Sequence, residues 1–283
     1  VLMVCGSLNA VAEAARPNFL FILVDDLVAP AILDLARRDA KRIPVDANGV
    51  IDLVALEAML KDASDAGQKV LVSVMLANNE TGVIQPVAKV GLLAREYGAK
   101  VHCDAVQALG RVPVDMGRLL VDMVSISAHK IGGPKGVGAL AIAPGVMLVP
   151  QIRGGGQEKY RRGGTENVIG IAGFEAAAKR AEASMAKMVD VAKLRDRLET
   201  ELASEAPELL IAGKGTERLV NTSCLILPGM PGETQVMALD LAGVAVSSGS
   251  ACSSGSLEPS HVLRAMGFSP HRTQNSIRFS LGL

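Results

Sequence analysis

Four short stretches carry side chains able to do chemistry. In "SISAHKIGGPKGVG", Ser127 and His129 stand just before Lys130, and glycines follow. A lysine at the end of a buried strand forms imines once burial or a nearby cation lowers its pKa. In "VHCDAVQALG", Asp104 ends another apolar run and Gln107 lies three residues on. In "LANNETG", Asn78 and Asn79 end a third. In "SSGSACSSGSLEPSHVL", Cys252 sits among serines and glycines. Its thiolate would be a nucleophile on a flexible segment. Singly, each has a plainer reading: a solvated lysine, a capping aspartate, turn asparagines, a small loop residue.

The elements needed to position them can be read from periodicity. "KVLVSVMLA" is a continuous apolar run of the kind found in strands buried on both faces. "AKVHCDA", "VDMVSISA" and "KGVGALAIA" read as further strands. Between them lie helical patterns: "AILDLARRDA", "IDLVALEAMLKDAS" with Asp52 as cap, and "PVAKVGLLAREYG" between Pro86 and Gly98. Alternating strands and helices predict an α/β fold with a mostly parallel sheet. Such sheets bind ligands at the carboxyl ends of their strands. Three ends bearing Asn, Asp-x-x-Gln and Ser-x-His-Lys converge on one ligand type. A carboxylate there suits the protonated ring nitrogen of pyridoxal 5'-phosphate (PLP), and Gln107 suits its phenolic oxygen. After the Gly-rich "RGGGQEKYRRGGTEN", one long helical stretch is expected over 168–205, linking to a smaller α+β domain. There "LVNTSCLIL", "VAVSS" and "NSIRFSLGL" read as strands, and "GETQVMALDLA" and "PSHVLRAMG" as helices.

Composition narrows the function classes. The chain has 283 residues, 49% of them hydrophobic, with 29 basic and 29 acidic side chains. The balance excludes a polybasic face for nucleic acid or membrane. Aromatics make up 2% and Trp is absent, which leaves no stacking platform for single strands. Cys5, Cys103, Cys224 and Cys252 form no metal-spaced cluster, and no metal is expected. So few cysteines fit a reducing, cytoplasmic compartment. Cys103 and Cys224 fall in apolar runs and read as inert core thiols. His102, His261 and His271 match no catalytic pattern.

Together, "NNETGVIQP", "HCDAVQALGRVPVD", "SISAHKIGGPKGVGAL", "RRGGTEN", "VSSGSACSSGSLEPSHVLRAMG" and "SIRFSLG" resemble, in order, the signatures of the cysteine desulfurases. These are NifS/IscS-like PLP enzymes of the class V aminotransferase group, with the type I PLP-transferase fold and a smaller C-terminal domain. The resemblance covers about Val28 to Leu283. It implies that Lys130 carries PLP as an imine and that Asp104 and Gln107 hold its ring. Asn79 would lie beside cofactor and substrate. Ser127 and His129 would contact the phosphate, Thr165 would reach a phosphate across a homodimer interface, and Arg278 would grip the substrate carboxylate. The implied reaction converts L-cysteine to L-alanine. Lys130 takes the α-proton, and Cys252 attacks the substrate sulfur and becomes a persulfide. A sulfur-acceptor protein then receives that sulfur for iron–sulfur cluster or other sulfur-compound biosynthesis. A selenocysteine lyase of the same type is the neighbouring alternative.

The beginning of the chain departs from the family pattern. A T-S-G-x-T-E-type phosphate loop and an E-H histidine that stacks on the ring are absent before Val28, from which weak PLP binding is expected. A non-catalytic fragment keeping only dimer and partner surfaces is the corresponding alternative. Residues 1–27 are therefore set apart, with a partial PLP domain over 28–184 and a small domain over 185–283. "VLMVCGSLNAVAEAA" is like a short signal peptide but lacks a basic start. "RPNFLFILVDDL" resembles the opening strand of sulfatases, whose Asp pair binds a metal, here Asp25 and Asp26. The Cys/Ser-x-Pro-x-Arg segment that a sulfatase needs is absent.

Overall fold

The computed structural model describes the main chain of Phe19–Val24 and residues 40–248 and 259–282. Asp25, Asp26 and Cys252 lie outside the described residues, as does "AILDLARRDA" but for its last residue, Ala40. The first sheet has six strands. They are β1 (Phe19–Val24), β2 (Lys41–Ile43), β3 (Lys69–Met75), β4 (Lys100–Asp104), β5 (Met123–Ser127) and β6 (Gly138–Ile142). Their spatial order is β2-β1-β3-β4-β5-β6, parallel except for β6. The sulfatase-like stretch thus supplies an inner strand, β1, registered Phe19 to Lys69 and Leu23 to Ser73 on β3.

Helices cross over between the parallel strands, as parallel pairing requires. In α1 (Leu53–Asp65), Asp52 caps the start by accepting from the N–H groups of Val54 and Ala55. Leu56, Leu60 and Ala63 lie on its buried face. In α2 (Val87–Glu96), Pro86 is the N-cap, and Gly98 follows with φ +67°. The short α3 (Met116–Leu119) is capped by Asp115.

The expected helix over 168–205 is two helices, α5 (Val168–Ser184) and α6 (Met188–Glu205), after the one-turn α4 (Gln157–Tyr160). A 3₁₀ turn, Met185–Lys187, separates them. The reason is packing. The α5 helix rests on the Ala128–Ile131 turn, whereas α6 rests on the second sheet, so the chain re-aims between them. That sheet has the order β7-β8-β10-β9 and is antiparallel, made of β7 (Leu210–Ile211), β8 (Thr222–Ile226), β9 (Ser247–Ser248) and β10 (Ser276–Ser280). With it come α7 (Gly232–Leu241), α8 (His261–Ala265) and α9 (Pro270–Gln274). One apolar cluster runs through both parts, from Leu56, Val72 and Val101 to Cys224, Ile226 and Leu263. Among the described residues, no helix is long and apolar enough to cross a membrane.

Candidate active site

Three neighbouring parallel strands end at one edge and bring the sequence's candidates together. Register places Met75 of β3 opposite Asp104, and Asp104 opposite Ser125 of β5. Neighbouring strands lie about 4.8 Å apart. Asn79, Asp104 and the Ser127–Lys130 segment therefore leave adjacent strands on the same side.

Asp104 is buried, and one carboxylate oxygen accepts from Val106 N–H at 2.9 Å. That bond is the capping role of the plainer reading. Among the described residues no cation pairs with the carboxylate. Burial raises its pKa, and the Val106 bond only partly opposes this. A desolvated acid of this kind is complemented by a cation. A protonated pyridine nitrogen is such a cation, so the residues present fit a PLP ring. Gln107 is half-buried in the next turn.

After β5 the chain forms a 3₁₀ turn, Ala128–Ile131. Gly132 ends it at φ +80°, a conformation natural to glycine. Lys130 is half-buried in this turn. Ser127 Oγ and His129 Nδ1 are hydrogen-bonded at 2.7 Å. Partial desolvation and the nearby Lys130 and Lys135 charges lower the His129 pKa.

Asn78 proves local. Its Oδ1 accepts from the N–H groups of Glu80 and Thr81 and from the Thr81 hydroxyl. Asn79 contributes its carbonyl, which accepts from an Arg278 terminal nitrogen at 2.7 Å. Arg278 also approaches Ser247 Oγ at 3.4 Å, and its buried Nε–H has no partner among the described residues. No carboxylate ion-pairs with Arg278 among the described residues. A half-buried guanidinium with an orphaned donor fits a carboxylate ligand. Thr165 stands apart from these residues. It is exposed and lines a cleft beside β6 with Val137, Gly138, Arg162 and Asn167.

Two residues of the site were not picked out from the sequence. Arg111 donates to the Gln107 carbonyl at 2.7 Å and the Lys130 carbonyl at 3.2 Å, joining those turns. Glu80, beside Asn79, is buried and accepts from Ser260 Oγ at 2.6 Å. Their sequence signal was weak: both stand inside quoted motifs, but residue type and spacing alone give neither a role. His102 is held between Ser73 Oγ at 2.8 Å and Ser125 Oγ at 3.0 Å, within the sheet. Burial lowers its pKa to about 4. Cys103 and Cys224 are buried, and desolvation pushes both thiols up to about 12. Among the described residues no cluster could hold a metal ion.

Comparison with known proteins identifies the family. Residues 28–283 match the family described as aminotransferase class-V. A cysteine desulfurase of Klebsiella pneumoniae is 46% identical over 240 residues, covering 85% of this chain and 59% of the relative. Cysteine desulfurase 2 of Trichormus variabilis is 43% identical over 276 residues, covering 95% and 68%. The structure of a NifS-like protein from Rickettsia africae superposes with TM-score 0.83 at 35% identity, covering 94% of this chain and 70% of that one. The chain thus spans roughly three fifths to two thirds of the length of these curated relatives.

Proposed function

We propose that this chain, which belongs to the class-V aminotransferase family, is a cysteine desulfurase that transfers the sulfur of L-cysteine to Cys252. One observation carries the reading: Asp104, buried and without a cation among the described residues, and the turn bearing Lys130 leave adjacent parallel strands at one sheet edge. A solved relative titled "SspA in complex with cysteine", 27% identical with TM-score 0.73, supports the choice of substrate.

Asp104 would hold the ring nitrogen of PLP, Gln107 the phenolic oxygen, and Ser127 and His129 the phosphate, with Thr165 reaching the phosphate of a second subunit. Bound there, PLP draws electrons from the substrate's α-carbon. Lys130 anchors the cofactor and accepts the α-proton. Arg278 fixes the substrate carboxylate by paired charge-assisted hydrogen bonds, with Asn79 beside it. The Cys252 thiolate attacks the substrate sulfur. A sulfur–sulfur bond forms, and the substrate's carbon–sulfur bond breaks with its electron pair left on carbon. That carbon gains a proton, the proton held by Lys130 returns to the α-carbon, and the product leaves as L-alanine. The Cys252 persulfide then passes sulfur to an acceptor protein.

The test is alanine release and persulfide formation by the purified chain with excess PLP and L-cysteine. Lys130→Ala is expected to abolish both, along with the visible absorbance of bound PLP. Cys252→Ser is expected to keep that absorbance and lose the persulfide. Alanine formation by Lys130→Ala at the wild-type rate, or none by wild type, would overturn the reading.

A further inference from the structure

Glu80 is 3% exposed, in a turn where Asn78 Oδ1 accepts from the Glu80 and Thr81 N–H groups and from the Thr81 hydroxyl. Its carboxyl takes no part in that local network. It accepts instead from Ser260 Oγ, a partner 180 residues away in sequence. Ser260 is the N-cap of α8, where its Oγ also accepts from Leu263 N–H at 3.1 Å. In sequence, α8 is the first described helix after Cys252. The residue before Glu80, Asn79, receives Arg278 at its carbonyl. Two successive turn residues thus hold the arginine of the carboxylate subsite and the start of the helix that follows Cys252 in sequence.

An acid is a costly choice for this place. Burial pushes Glu80 up to about 7, against the opposing pull of the Ser260 hydroxyl and the Arg278 charge. Its charge in turn helps to raise Cys224. A residue chosen for packing alone would be apolar. The acid's retained use is its reach to the Ser260 hydroxyl beside Arg278.

We propose that Glu80 is a positioning residue, whose carboxyl ties the turn that orients Arg278 to the helix that follows Cys252. This rests on the roles given to Arg278 and Cys252 in the proposed desulfurase.

Two readouts separate this proposal from that reading. The first is amide hydrogen exchange in wild type, Glu80→Ala and Glu80→Gln with excess PLP. Removing the carboxyl is expected to speed exchange at Leu263 about tenfold or more while α5 amides are unchanged. Gln, which keeps an acceptor oxygen, is expected to restore protection. The second is cysteine kinetics. Glu80→Ala is expected to raise KM about tenfold, with a smaller fall in kcat, and Glu80→Gln to return KM to within about threefold of wild type. Unchanged exchange at Leu263 in Glu80→Ala overturns the proposal whatever the activity. Faster exchange with unchanged KM overturns the link to Arg278. If Glu80→Ala does not fold, Glu80→Gln decides: loss of Leu263 protection there overturns the acceptor role. Wild type inactive on cysteine refutes the desulfurase reading and leaves the exchange result standing.

Discussion

Two desolvated titratable residues pull stability in opposite directions with pH. The unfolded chain binds a proton at His102 near 6.5, and the folded protein resists it until about 4. Stability is therefore lost as pH falls through that window, on the order of 3 kcal/mol in full. Glu80 has the reverse effect. The folded protein keeps its proton up to about 7, and the unfolded chain releases it near 4.5, so stability is lost as pH rises. Glu80→Gln should leave the His102 slope exposed, with stability falling toward acid. His102→Gln should leave the opposite slope. Urea unfolding of both variants across pH checks this, and slopes of the same sign would refute it. The buried thiols give a second residue-scale prediction. Cys103 and Cys224, pushed to about 12, should resist alkylation at neutral pH until the protein unfolds.

At the scale of elements, local signals were read well where they act through neighbours in sequence. The Asp52 cap and the Pro86 and Gly98 boundaries appear where expected, because capping is settled within one turn. The α9 helix went unread although Ser269 and Pro270 carry its start signal, since five residues show no periodicity. The break between α5 and α6 was invisible because both sides have helical composition. The turn after β3 shows how an element is locked from outside. Gly82 adopts φ +75°, and a Cβ there would meet Thr222 Cβ at 3.0 Å. The Gly82 carbonyl also accepts from Leu219 N–H at 2.7 Å. Gly82→Ala should cost about 1–2 kcal/mol from the backbone alone, and more if Thr222 cannot shift. Chemical denaturation measures it, and a neutral result would show that the turn is not held in this conformation.

Across the whole molecule, a buried ion pair fastens α6 to the segment before β8. Arg218 donates to both oxygens of Glu199 at 2.8 and 2.9 Å, and Ser223 Oγ donates to one of them at 2.7 Å. These bonds hold Glu199 below its ordinary pKa despite burial. Arg218→Met should destabilise the fold by about 3–5 kcal/mol, because a buried carboxylate loses its partner. Replacing Glu199 by Met as well should recover much of that loss. Thermal unfolding of the single and double variants checks it, and an unaffected single variant would show that the pair contributes little.

The sequence by itself determined the alternation of strands and helices and the sheet edge shared by Asn79, Asp104 and Lys130. Those follow from periodicity and from strand ends, both local properties. It also marked Cys103 and Cys224 as core thiols, since an apolar run implies burial. Only the tertiary structure decided which polar groups are left without partners. Among the described residues, Asp104 lacks a cation and Arg278 has an unpartnered Nε–H. Glu80 meets Ser260, and Arg111 joins the Gln107 and Lys130 turns. Each of these depends on desolvation or on contacts between distant segments. No pattern within one stretch of chain encodes them.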